Sequence, residues 1–310
     1  MARQMRRVET SLWLGSCFAE VLGQRALDSG YQARVNPMGV VFHPNVLARL
    51  LSISMDELES TCFQKEGVWL NYWLGTPFAA SDKGTLLHQI QTAHKTLEAA
   101  LAESSWLVIT WGTALYYNHK DWGLVGKCHK LPGNQFDRFR SSPDELVSVW
   151  KIALERLWKT NPDLNIILTV SPVRHTREGL VENNRSKSSL LLAAGSLAES
   201  HEKVHYFPSY EMVMDELRDY RFFGADLIHP NEQAQDHIWK VFSDMAFPGS
   251  EQETNQRLRK FKQLKSHRPF VDFGPEFMAW QSAITKEKDI LVQQLRKEGL
   301  SEPFISRICS

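Results

Sequence analysis

Four short apolar runs punctuate the first two thirds of the chain, at 12–14, 106–111, 165–170 and 204–207. Each is rich in β-branched or aromatic residues and bounded by turn formers, the pattern of strands buried on both faces. Between them, apolar positions recur at helical spacing over 17–27, 85–101, 144–158 and 188–200. This alternation predicts an α/β fold, a three-layer α/β/α sandwich around a short parallel sheet. Residues 67–75 read as a small hairpin inserted near the start of the sheet. Past Phe247-Pro248-Gly249 the pattern changes: 251–265 and 275–296 are helical, with many Glu, Gln, Lys and Arg. The expected organisation is a main domain over residues 1–247 and a helical C-terminal extension over 248–310.

Composition narrows the function classes. With 43% hydrophobic and 23% charged residues over 310 positions, the chain can bury a substantial core. Lys+Arg and Asp+Glu both number 36, which argues against a nucleic-acid partner, since that would call for a basic stripe. The apolar runs fall far short of the roughly 20 residues of a membrane span, so no membrane partner is expected. Cys17, Cys62, Cys128 and Cys309 are scattered without a CxxC pair, so neither a zinc site nor a disulfide framework is expected. Reduced thiols in a cytoplasmic protein fit this usage. Three arginines within 1–7 and the run Leu14-Gly15-Ser16-Cys17 imitate a lipoprotein signal. Glu9, Thr10 and Ser11 interrupt the apolar stretch that such a signal needs.

Two segments carry candidate chemistry. In Leu12-Trp-Leu-Gly-Ser16-Cys-Phe-Ala-Glu20 a strand runs into Gly-Ser and helical spacing begins at once. Ser16 therefore sits at the carboxyl edge of the sheet, where ligands of open parallel sheets bind, and at a helix N-terminus that favours an oxyanion. A plain helix cap is the alternative role. Cys17 is a second possible nucleophile or, as the commoner case, a small core residue. In Phe223-Gly-Ala-Asp226-Leu-Ile-His229-Pro-Asn231, Asp and His three apart can meet in one turn, leaving the other ring nitrogen free to take a proton. A solvated Asp and a surface His are the competing interpretation.

Taken together, these segments resemble the GSCFA family, an SGNH-hydrolase-like group of bacterial proteins. The motif Gly15-Ser16-Cys17-Phe18-Ala19 spells the family's name. The resemblance runs on through Asn36-Pro-Met-Gly39-Val-Val-Phe-His43-Pro44, Thr110-Trp-Gly112-Thr113 and Cys128-His129-Lys130-Leu-Pro132. It continues through Ser171-Pro-Val-Arg174-His175 and Asn184-Arg-Ser186-Lys187 to Asp226-Leu-Ile-His229-Pro-Asn231, covering roughly 10–245. It implies an SGNH/flavodoxin-like sheet with Ser16 as nucleophile, His229 as general base and then acid, and Asp226 as the group that orients it. It also implies an oxyanion hole from the N–H groups of Ser16 and Gly39. Thr113 stands where SGNH enzymes carry an asparagine donor, and a lost donor costs on the order of 10²–10³ in turnover.

His129 and Lys130 sit in a loop bounded by Gly and Pro, and His43, Arg174 and His175 follow strand-like runs on the same expected edge; each is a candidate substrate contact, with an ordinary surface position as the alternative. Asn184, Ser186 and Lys187 are read as opening a helix, with capping as one role. Trp69, Trp73 and Trp111 could stack on sugars, although core packing is the commoner use of tryptophan. No metal and no cofactor are expected. The leading functional expectation is an esterase acting on a small-molecule or carbohydrate ester. The alternatives are an acyltransferase using the same residues and a non-catalytic carbohydrate-binding protein on a decayed hydrolase scaffold.

Overall fold

The computed structural model describes residues 3–267 and 269–309. In chain order its elements begin with β1 (Thr10–Gly15), α1 (Cys17–Asp28), β2 (Gln32–Val35), α2 (Pro44–Leu50), α3 (Met55–Ser60), β3 (Cys62–Lys65) and β4 (Val68–Asn71). There follow α4 (Lys83–Glu103), β5 (Trp106–Trp111), β6 (Leu115–His119), β7 (Gly123–Val125), β8 (Phe136–Arg140), α5 (Pro143–Thr160) and β9 (Asn165–Val170). The remainder comprises α6 (Leu180–Ser200), β10 (Val204–Phe207), the single turn α7 (Ser209–Glu211), α8 (Glu232–Ala246), α9 (Gln252–Ser266), α10 (Pro275–Lys297) and α11 (Glu302–Cys309).

Five strands form a parallel sheet in the order β10-β9-β5-β1-β2. Side chains alternate across it because successive strand residues point to opposite faces. Leu12, Leu14, Leu107, Ile109, Ile166 and Leu168 meet α2, α4, α5 and α6 on one face. Trp13, Trp106, Val108 and Ile167 meet α1 and α8 on the other. Both faces are covered, so every residue of β5 and β9 is buried and their sequences read as continuous apolar runs. Each large side chain so buried contributes about 1.5–3 kcal/mol. The architecture is an α/β/α sandwich.

The strand order reverses between β1 and β5, so a crevice opens between their carboxyl ends. The segment after β2 crosses it. The Val41 N–H donates to the Gly15 carbonyl, and the N–H groups of Gly112 and Thr113 donate to the Phe42 carbonyl. Two features that the apolar pattern did not predict wall this edge. One is the three-stranded antiparallel sheet β7-β6-β8. The other is the full extent of the hairpin β3-β4, to which 67–75 supplies only the second strand. They are joined where Gly126 and Lys127 donate to the Tyr72 carbonyl.

The tail forms its own apolar cluster, with Leu258, Phe261, Leu291, Leu295 and Ile305 at its centre. Buried Arg7 ties it to the body. Its Nε lies 2.5 Å from a Glu298 carboxylate oxygen, its backbone N–H donates to the Glu251 carboxylate at 3.1 Å, and Nη2 donates to the Asn255 side-chain oxygen at 2.7 Å. Among the described residues no helix is long and apolar enough to cross a membrane.

Candidate functional site

Ser16 follows the last residue of β1 and caps α1, its Oγ accepting the Phe18 N–H at 3.3 Å. Gly15 makes this junction possible. Its φ is +129°, and a Cβ there would lie 2.1 Å from the Thr110 carbonyl oxygen. Asn36, in the left-handed region at φ 40°, accepts the Gly15 N–H on its side chain at 2.9 Å. Ser16 itself is only 1% exposed.

Asp226 and His229 stand in a tight loop before α8. Asp226 Oδ1 accepts the N–H groups of Ile228 and His229, and its Oδ2 lies 2.6 Å from His229 Nδ1. Three converging donors, the His229 side chain first, pull the Asp226 carboxyl down to about 2. With Nδ1 donating to a carboxylate, Nε2 carries the lone pair. The loop is pinned to the segment after β9, the Arg174 N–H donating to the Ile228 carbonyl at 3.3 Å. The pair therefore stands over the same carboxyl edge as Ser16. Its side chains remain about half exposed. Among the described residues no hydrogen bond joins the Ser16 hydroxyl to the His229 ring.

The expected oxyanion donors are engaged inside the fold. The Ser16 N–H donates to the Thr110 carbonyl and the Gly39 N–H to the Asn36 carbonyl. The Thr113 hydroxyl pairs with the Ser186 hydroxyl at 3.0 Å and accepts the Leu115 N–H. In the first turn of α1, Ser16 takes the N–H groups of Phe18 and Ala19, and among the described residues the Cys17 N–H has no oxygen acceptor. The Cys17 thiol is raised above its ordinary pKa by burial and by Glu20, which disfavours a thiolate nucleophile.

A cleft of about 630 Å³ opens beside this junction. His43, Thr113, His129, Lys130, Arg174 and His175 all line it, together with Ile228, whereas Ser16, Gly39, Asp226 and His229 do not. His43 is a structural cap. Its Nδ1 accepts the Asn45 N–H, its Nε2 meets the Ala114 carbonyl at 3.1 Å, and burial drives its pKa down to about 3. His129 braces the hairpin, with Nε2 2.8 Å from the Asn71 carbonyl. His175 differs from both. Its Nε2 is buried without a hydrogen-bond partner among the described residues, and burial, then Lys187 and His229, lower its pKa to about 4. Arg174 lies over the Phe223 ring, 4.2 Å from its centroid.

Lys187 emerges as a central residue that spacing alone did not single out. Asn184, Ser186 and Lys187 do not open α6, as the sequence pattern had suggested; the helix begins at Leu180 behind Gly179, which makes no side-chain cap. Lys187 is fully buried and donates to the Gly112 and Ser171 carbonyls at 2.6 Å each, tying the carboxyl ends of β5 and β9 together. Burial lowers its pKa to about 7. Trp73 and Trp111 are core residues and Trp69 packs against the same cluster, so the three form no exposed stacking platform. Among the described residues no group of three His, Cys, Asp or Glu side chains is placed to hold a metal ion.

Compared with known families, residues 11–242 match the model described as the GSCFA family. No curated protein matches the chain significantly.

Proposed function

The chain belongs to the GSCFA family, and from that premise we propose a serine hydrolase of the SGNH type that cleaves an ester, with an O-acylated carbohydrate as its substrate class. The observation that carries this reading is the 2.6 Å contact between Asp226 and His229 Nδ1 on the edge where Ser16 begins α1. Asp226 holds the ring with Nε2 free. Nε2 takes the Ser16 proton as Oγ attacks the acyl carbon, then returns it to the departing alcohol. Water, activated by the same nitrogen, releases the acyl group. The positive end of α1 and the Cys17 N–H stabilise the tetrahedral oxyanion.

This chemistry makes two demands on the resting arrangement. Ser16 Oγ must rotate out of its cap, and the rim must part enough to admit an acyl group to a side chain that is 1% exposed. The cost of losing a serine cap is about 1 kcal/mol, so rotation is accessible. A fluorophosphonate probe tests the nucleophile. The wild type should label and Ser16→Ala should not, with ester turnover falling by roughly 10³-fold or more. Equal labelling of both would sink the assignment.

One observation favours a second reading. The N–H groups of Ser16 and Gly39 and the Thr113 hydroxyl are all satisfied within the fold, as expected of a scaffold that binds glycans without cleaving them. Equal glycan affinity in wild type and His229→Ala, with no ester cleaved by either, would favour it. Acyl transfer to a second sugar uses the same residues and is distinguished by product analysis with and without an acceptor.

A further inference from the structure

The cleft beside Ser16 has an unbalanced charge. Lys127, Lys130, Arg174 and Arg177 line it, against a single carboxylate, Glu178. That carboxylate is committed elsewhere: its Oε1 lies 3.3 Å from Arg138 and accepts the Tyr117 hydroxyl at 3.4 Å. Among the described residues none of the four cations has a carboxylate within salt-bridge distance, although neighbouring Arg140 and Arg185 both find Glu182.

Lys127 is the informative member. It is half-buried, and its ammonium stands 4.3 Å from the Phe42 ring centroid with no hydrogen-bonded oxygen among the described residues. Burial pulls its pKa down, which means that its charged form lacks a compensating partner. Phe42 follows Val41, whose N–H donates to the Gly15 carbonyl, so Lys127 lies on the side of the cleft facing the β1–α1 junction. His175 packs edge-on against the same Phe42 ring, 5.6 Å between centroids, and its buried Nε2 has no hydrogen-bond partner among the described residues. A desolvated cation, an open donor or acceptor and two guanidinium groups in one concavity make a built receptor for an oxyanion, because arginine forks and a lysine point charge match carboxylate and phosphate oxygens.

We infer that this cleft selects substrates whose sugar carries an anionic group, a carboxylate or a phosphate, seated between Lys127 and the Arg174–Arg177 side. As a statement of substrate class it rests on the hydrolase reading; as a binding site it does not. The neutral part of the sugar lies against Phe42 and Tyr117, and its ester is directed to the β1–α1 junction.

Binding of three probes to the full chain, measured by calorimetry, tests the site without requiring catalysis: methyl glucoside, glucuronate and glucose 6-phosphate. One or both anionic sugars should bind at least about tenfold more tightly than methyl glucoside, since a charge-assisted contact contributes roughly 1.5–3 kcal/mol. The stronger of the two identifies carboxylate or phosphate as the preferred group. The preference should shrink several-fold in Lys127→Met and in the exposed-site variant Arg177→Gln, and it should weaken with added salt. Ser16→Ala should keep it. Equal binding of all three probes, binding of none at millimolar concentration, or a preference unchanged in folded Lys127→Met and Arg177→Gln overturns the inference. If the preference holds while Ser16 fails to label, the hydrolase reading falls and the anion site stands.

Discussion

Two buried cations in this molecule meet opposite fates. Arg7 is enclosed where the first residues meet the tail, with the Glu298 carboxylate on its side chain, Glu251 on its backbone N–H, and the Tyr31 ring 4.4 Å below its guanidinium. Lys187 is enclosed at the edge of the sheet, where its ammonium meets two neutral carbonyl oxygens and, at 5.7 Å, the Tyr210 ring, with no carboxylate in salt-bridge range among the described residues. The first charge is compensated and the second is not. Burying an ion is tolerable when hydrogen bonds and an opposite charge replace its water. Arg7 therefore reads as a structural clasp. Lys187 is held at an electrostatic cost beside the candidate site, where such costs tend to be kept for a purpose.

The contrast can be broken at either end. Replacing Arg7 with Met should have the largest effect on stability, because the half-buried Glu298 carboxylate loses its guanidinium partner, the Asn255 side-chain oxygen loses its donor, and buried Glu251 keeps only the backbone N–H. A loss of about 3–5 kcal/mol is expected, measured by urea unfolding, together with faster amide exchange in α9 and α10. A loss below 1 kcal/mol would show that the clasp is not what holds the tail.

Lys187→Met should cost less, about 1–3 kcal/mol, because it strands two carbonyl groups yet removes an uncompensated charge. Its signature is in the pH dependence. The folded state keeps the ammonium only up to about pH 7 while the unfolded chain stays protonated up to about 10.4, so between those values the unfolded state binds more protons. The wild type should therefore gain stability relative to Lys187→Met as pH rises from about 7 to about 10, with a constant difference below that window. A flat difference across it would mean that Lys187 keeps its proton throughout.

The smallest effect is expected at Asp226, whose contacts with His229 are largely solvated. Asp226→Asn should leave stability nearly unchanged, while lowering esterase turnover by roughly 10²–10⁴. Its folded pKa of about 2 lies below the unfolded value near 3.9. The contribution of the carboxylate is thus fully present above about pH 4 and lost as pH falls toward 2. Unchanged turnover in Asp226→Asn would remove Asp226 from the mechanism.

Legibility in the sequence followed locality and burial. The runs at 106–111 and 165–170 became β5 and β9 with matching bounds because strands covered on both faces are apolar throughout. By contrast β2 (Gln-Ala-Arg-Val), at the edge of the main sheet, and β6 (Leu-Tyr-Tyr-Asn-His), at the centre of a small sheet, escaped notice, since strands whose residues are mostly half-exposed mix polar and apolar residues and carry little pattern of their own. The Asp226–His229 contact could be anticipated because three residues of spacing suffice to close it. The contacts of Lys187 could not, because Gly112 lies 75 positions away and a lysine in a sequence looks like a solvated one. The same holds for the N–H groups of Ser16 and Gly39, which are consumed by carbonyl partners that only the folded register brings close.

Gly15 and Ser16 are neighbours with different vulnerabilities. No side chain fits at the first, because a methyl group there would collide with the Thr110 carbonyl of the adjoining strand. The second tolerates alanine in the fold. In a saturation library scored separately for abundance and for turnover, position 15 should be depleted from the abundance score, whereas position 16 should persist there and vanish from the other. Two adjacent codons would thus report on two different kinds of selection.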